Sequence, residues 1–82
     1  MITKEIKINL NAIDKVKAWC RKSLMFDGRL RIMSNHGEYI VDGKSIMGIF
    51  SLDLLHNLTC EISAESEDIV NEFVDQVKEF IA

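Results

Sequence analysis

The 82-residue sequence has no proline, two cysteines, one tryptophan, one tyrosine and no apolar run near the ~18 residues a membrane span needs. A spanning helix is not expected. The opening residues Met1-Ile2-Thr3-Lys4-Glu5 lack the basic-then-apolar layout of a signal peptide, so a cytoplasmic location is expected. Cys20 and Cys60 form no Cys-x-x-Cys pair and have no histidine at ligand spacing, which argues for buried free thiols in a reducing compartment. No metal site and no cofactor are implied. Without repeats, low-complexity stretches or a linker, residues 1–82 read as one domain, and a domain of this size has little room for a deep enclosed active site.

What is present suits a globular chain: 48% hydrophobic and 28% charged residues are too apolar for disorder. The net charge of −3 argues against nucleic acid. Its distribution says more. Residues 1–44 hold nine Lys/Arg against five Asp/Glu (+4), whereas residues 45–82 hold one Lys against eight Asp/Glu (−7). A fold that keeps the halves apart has a basic face and an acidic face.

Over residues 2–10, Ile2, Ile6, Ile8 and Leu10 share one parity and Thr3, Glu5, Lys7 and Asn9 the other, the period of a half-buried strand. Asn11 is placed to cap a helix, with Asp14 in its first turn to offset the partial positive charge of exposed N–H groups. Ile13, Val16, Cys20 and Leu24, flanked by Ala12, Trp19 and Phe26, predict its apolar face, and Lys15, Lys17, Arg21 and Lys22 its outer face. Trp19 reads as core or boundary packing. Residues 29–33 and 38–41 predict two strands joined through Asn35-His36-Gly37. Ser45 is placed to N-cap a short helix over 46–54, without a capping box because Gly48 occupies the third position.

Leu58, Cys60, Ile62 and Ala64 alternate with Thr59, Glu61 and Ser63 as a fourth strand. Ser66 caps the last helix, with Ile69, Val70, Phe73, Val74, Val77, Phe80 and Ile81 on one stripe opposite Glu67, Asp68, Glu72, Asp75 and Glu79. The order is βαββαβα. An α+β open-faced sandwich, a four-stranded antiparallel sheet with three helices on one face, buries every one of these stripes. The first helix is expected beside the third, basic surface against acidic.

The segment Val41-Asp42-Gly43-Lys44-Ser45-Ile46-Met47-Gly48-Ile49-Phe50-Ser51-Leu52 resembles the regulatory-serine segment of HPr, the phosphocarrier family of the bacterial sugar phosphotransferase system. Glu61-Ile62-Ser63-Ala64-Glu65 resembles that family's last strand and its exit, and the element order agrees over essentially the whole chain. The resemblance implies an HPr-like fold and a protein that works with other proteins of that system. It also implies a Gly-Ile-His-Ala-Arg-Pro-type motif after the first strand, where an imidazole carries a phosphoryl group held by arginine and helix N–H groups. Here that stretch reads Asn9-Leu10-Asn11-Ala12-Ile13-Asp14-Lys15-Val16, about three residues shorter when the helix ends are matched. Counting back from Phe26 puts Ala12 at the histidine and Asp14 at the arginine. Ala12 supplies no nucleophile, Asp14 has the wrong charge, and Lys15 stands in place of the helix proline. His36 and His56, in turn and loop segments, are not expected to be carriers.

Taken by itself Ser45 is an N-cap; the resemblance adds that its counterpart is phosphorylated by a dedicated kinase. A phosphate at a helix N-terminus meets unpaired N–H groups, and Lys44 adds a positive charge. Ile46, Met47, Ile49 and Phe50 cannot all face inward from so short a helix. Two readings stand: Ile46, Met47 and Phe50 with Lys15, Lys17 and Arg21 form a docking patch for an acidic partner, as the resemblance implies, or Ile46 and Phe50 close the core and Met47 is an isolated exposed side chain.

The expectation is therefore a monomeric HPr-like regulatory and protein-binding module without the phosphoacceptor, and not an enzyme, since no nucleophile, base and orienting group converge. Its expected partners are phosphotransferase-system components, a serine kinase or a transcriptional regulator. Two alternatives remain open: a functional phosphocarrier with an unusual acceptor, and a ferredoxin-like domain for a small ligand or RNA. RNA binding needs exposed aromatics on the open sheet face, and Thr3, Glu5, Lys7, Asn9, Thr59, Glu61 and Ser63 offer none.

Overall fold

The computed structural model describes residues 1–34, 37 and 39–82. Seven main elements follow one another: β1 (Ile2–Ile8), α1 (Ile13–Leu24), β2 (Arg29–Met33), β3 (Ile40–Asp42), α2 (Ile46–Phe50), β4 (Leu58–Ala64) and α3 (Glu67–Gln76), with a closing 3-10 turn at Lys78–Phe80. The strands form one antiparallel sheet in the order β1-β4-β2-β3. This is the expected α+β sandwich.

Alternation along the strands decides which face is covered. Ile8, Leu30, Ile32, Leu58, Cys60, Ile62 and Ala64 are buried beneath the helices and meet Val16, Trp19, Ile49, Val70 and Phe73. On the opposite face polar side chains pair across strands, Thr3 with Ser63 at 2.9 Å, Lys7 with Thr59 at 2.6 Å and Arg31 with Glu61 at 3.2 Å. Ile2, at the outer end of the same alternation, is exposed.

Trp19 is fully buried and stands edge-on to Phe73 and Phe80, with ring centroids 5.7 and 5.8 Å away. The junction of α1 with the C-terminal region also carries the expected pairing of charge. The Lys22 ammonium donates to Glu79 and, at 2.9 Å, to the Gln76 carbonyl oxygen.

Four local expectations are corrected. Ala12, not Asn11, occupies the N-cap of α1, because the Asn9 Oδ1 accepts the Asn11 N–H at 3.1 Å and holds Asn11 in a turn. Ile13 and Leu24 are 62% and 67% exposed, since the buried stripe is Val16, Trp19, Cys20 and Ser23; at about 100° per residue the other two fall on its flank. α2 stops at Phe50 instead of running to residue 54, because Ser51 and Leu52 donate three residues back and Asp53 Oδ1 takes the Leu55 N–H. α3 ends at Gln76, and Ile81 bridges Ile8 at the sheet edge while Asn9 N–H donates to the Phe80 oxygen at 2.7 Å.

In the hairpin, Asn35, His36 and Glu38 lie outside the described residues. The third strand begins at Ile40 and extends through Asp42. Gly37 has φ 71°, the left-handed conformation for which glycine was expected there. Among the described residues no helix is long and apolar enough to cross a membrane.

Candidate functional site

The short segment between β3 and α2 is held from two directions. The Trp19 indole Nε1 donates to the Gly43 carbonyl oxygen at 2.9 Å, a buried bond that ties α1 to the turn before α2. One residue on, the Lys44 ammonium reaches back to the Phe26 carbonyl oxygen at 2.7 Å and sits 5.8 Å from the centre of the Phe26 ring. The turn itself closes through Lys44 N–H on Asp42 Oδ1 at 2.9 Å and Ser45 N–H on the Asp42 oxygen at 3.0 Å. Gly43 is required by contact: a Cβ there would lie 2.6 Å from Leu30 Cβ.

This turn delivers Ser45 to the start of α2 in an extended conformation, where its Oγ accepts the Gly48 N–H at 3.2 Å. The N-cap expectation for Ser45 is met, and Ser66 does the same for Ile69 at 3.3 Å. Of the apolar residues of α2, Ile49 is fully buried. Ile46 and Phe50 are 38% and 40% exposed and Met47 is 77% exposed, so the helix presents an apolar edge to solvent and Ile49 alone of these enters the core.

α1 packs against α2 and contributes exposed Lys15, Lys17 and Arg21. They do not all share one side. Lys17 and Arg21 fall near the exposed Ile13 and Leu24, whereas Lys15 is in phase with Lys22, the residue that turns toward Glu79. Sequence reasoning missed Ile13 and Leu24 as surface residues. It also missed the reach of Trp19 and Lys44 to backbone oxygens; the signal was there in the lone tryptophan, whose N–H needs a partner when buried.

At the other end of α1, Ala12 is the N-cap with extended φ and ψ, and no side chain caps the helix. Asp14 is exposed in the first turn. Asn9 Nδ2 donates to Asn57 Oδ1 at 3.2 Å, so the loop carrying His56 lies against the loop that opens α1, nearer than the sequence suggested. The His56 ring itself is exposed, with Nε2 3.5 Å from Asp53 Oδ2. His36 lies outside the described residues. Among the described residues no three His, Cys, Asp or Glu side chains gather into a metal-binding group. Both cysteines are free and buried; burial, aided by the neighbouring Glu61, pushes the Cys60 thiol up to about 12, and burial raises Cys20 as well.

The architecture and the serine-capped short helix define an open-faced sandwich of the phosphocarrier type. The chain belongs to the PTS-HPr family, whose profile, described as the PTS HPr component phosphorylation site, matches residues 16–82. HPr proteins are phosphocarriers that interact with other phosphotransferase-system proteins. Among solved structures, the crystal structure of HPr-C-His from Thermoanaerobacter tengcongensis superimposes with a TM-score of 0.68 at 22% identity, over 96% of this chain and 93% of that one. A phosphocarrier protein HPr from Bacillus anthracis str. Ames gives 0.68 at 18% identity, over 99% and 96%. No curated protein matches.

Proposed function

We propose that this HPr-family protein is a regulatory, protein-binding module that does not carry a phosphoryl group on histidine. Ala12 at the start of α1 carries this reading: a methyl side chain at the N-cap has no nucleophile, and the next residues, Ile13 and Asp14, bring no cation to hold a transferred phosphoryl group. The family match begins at residue 16, downstream of both Ala12 and Asp14.

The docking face is the exposed edge of α2, Ile46, Met47 and Phe50, bordered by Lys17 and Arg21 of α1, with Lys15 on the far flank of that helix. Apolar side chains beside cations suit an acidic partner surface with an apolar centre. Components of the phosphotransferase system, a serine kinase and a transcriptional regulator are the partner classes the family membership favours. Ser45 is the regulatory position. Its hydroxyl is tied up as a cap, so a phosphoryl group on Oγ alters the charge at the edge of the docking face while an oxygen remains to accept from Gly48.

The test compares wild-type, Met47→Asp and Ser45→Asp chains as bait in a cell extract. Proteins retained by the wild type and lost with Met47→Asp define the docking face, and a changed set with Ser45→Asp supports the switch. Equal recovery by all three baits would reject both.

The rival reading, a carrier with an unusual acceptor, has one observation in its favour: the Asn9–Asn57 contact that brings the His56 loop to the start of α1. No lysine or arginine is hydrogen-bonded or ion-paired to His56 among the described residues.

A further inference from the structure

At the opposite end of α1 from Ala12, the chain leaves the helix through Met25 and Phe26 and turns past α3. A groove of about 240 Å3 opens there, with Met25, Asp27, Ile69 and Glu72 around a floor of Phe26 and Phe73. The floor is apolar and firm: both phenylalanines are buried, and their ring centroids are 4.5 Å apart. Met25 stands over it 85% exposed. A second groove of about 360 Å3 shares Asp27 and Ile69 and continues to Glu65, with Arg29 at its sheet end.

A single exposed methionine needs no explanation. A methionine and an isoleucine above an aromatic floor, rimmed by carboxylates, have the composition of a recognition groove, because a thioether chain moulds to an incoming apolar group. Lys22 and Lys44 donate to the backbone oxygens of Gln76 and Phe26, but neither lines the first groove, whose charged lining residues are Asp27 and Glu72. Asp27, Glu65 and Glu72 therefore set the sign of the rim, with Arg29 the exception at one end.

We infer that this groove binds a basic amphipathic segment of a partner protein, one large apolar side chain entering over Phe26 and Phe73 and flanking Lys or Arg meeting Asp27 and Glu72. The acidic residues Glu65 and Glu72 lie on either side of Ile69 along the start of α3 and line the two adjoining grooves. The α2 face is bordered by cations and selects acidic surfaces; this one selects basic ones. The two surfaces thus take different partners, and this inference does not depend on the function proposed above.

The test titrates the whole protein, with 13C-labelled methionine and isoleucine methyl groups, with a helical peptide of leucine and lysine and with its leucine and glutamate counterpart. The lysine peptide is expected to shift Met25 and Ile69 and to leave Met47 unmoved; the glutamate peptide is expected to leave Met25 and Ile69 unmoved. Asp27→Lys with Glu72→Lys lowers affinity about tenfold or more. Met25→Ser weakens binding, and Met47→Ser does not. All four substitutions are at exposed positions, and an unchanged amide spectrum shows that each variant is folded. Failure of the lysine peptide to bind overturns the inference. So does binding that ignores Met25→Ser and is abolished by 0.5 M salt, which is charge attraction without a groove.

Discussion

The Trp19 indole N–H and the Gly43 carbonyl oxygen, 24 residues apart in sequence, meet at 2.9 Å inside the core and fix the turn that presents Ser45. Replacing Trp19 with phenylalanine leaves that buried oxygen without its donor and removes ring volume. A loss of about 2–4 kcal/mol is expected in urea unfolding, with faster amide exchange in α2 than in α3. Equal acceleration in both helices would mean that Trp19 supports the core without specifically holding the α2 turn.

Gly43 and Gly48 are expected to respond differently to alanine. At Gly43 the added methyl collides with Leu30 at 2.6 Å, and about 1–3 kcal/mol of stability is lost. At Gly48 the nearest atom is Val41 Cβ at 3.2 Å, and the gain in helix propensity offsets the squeeze, so the net change stays within about 1 kcal/mol. Thermal unfolding of the two variants decides this.

Ser45→Ala removes the acceptor for the Gly48 N–H and costs about 0.5–2 kcal/mol; Ser45→Asp keeps an acceptor and costs less. Chemical denaturation of both variants checks the order. If the aspartate variant is the less stable, the cap geometry does not accommodate a negative group.

Cys60 makes stability depend on pH at the alkaline end. Its folded thiol is pushed up to about 12 by burial and then by Glu61, from an ordinary value of 9.0. The unfolded chain releases this proton first, so its contribution is fully present below about pH 9 and is lost as pH rises toward 12. Stability measured between pH 8 and 11 should fall, and Cys60→Ala should flatten that slope. Alkylation of native Cys60 at pH 8 should be slow.

Much of this was legible because its causes are local. The parity of Leu58, Cys60, Ile62 and Ala64 placed β4, and the Ser45 and Ser66 caps depend on N–H groups three residues away. Asn11 misled because the Asn9 side chain accepts its N–H and holds it in the turn before the helix. Ile13 and Leu24 misled because they extend the apolar pattern of α1 past the width that the sheet can cover. The end of α3 was not legible in its stripe, since Val77 and Phe80 are buried as a continued helix would bury them while Ile81 instead bridges Ile8, a long-range pairing. At the site, the exposed edge of α2 followed from its short length, whereas the bonds from Trp19 and Lys44 join residues 24 and 18 positions apart and leave no periodic trace.

Incubation with the general phosphotransferase enzyme and labelled phosphoenolpyruvate tests the absence of a phosphoryl carrier most directly. The account predicts no acid-labile label on the chain, and none when the aspartate of a Ser45→Asp variant stands in for phosphoserine. Acid-labile label on His56, lost in His56→Ala, would contradict it.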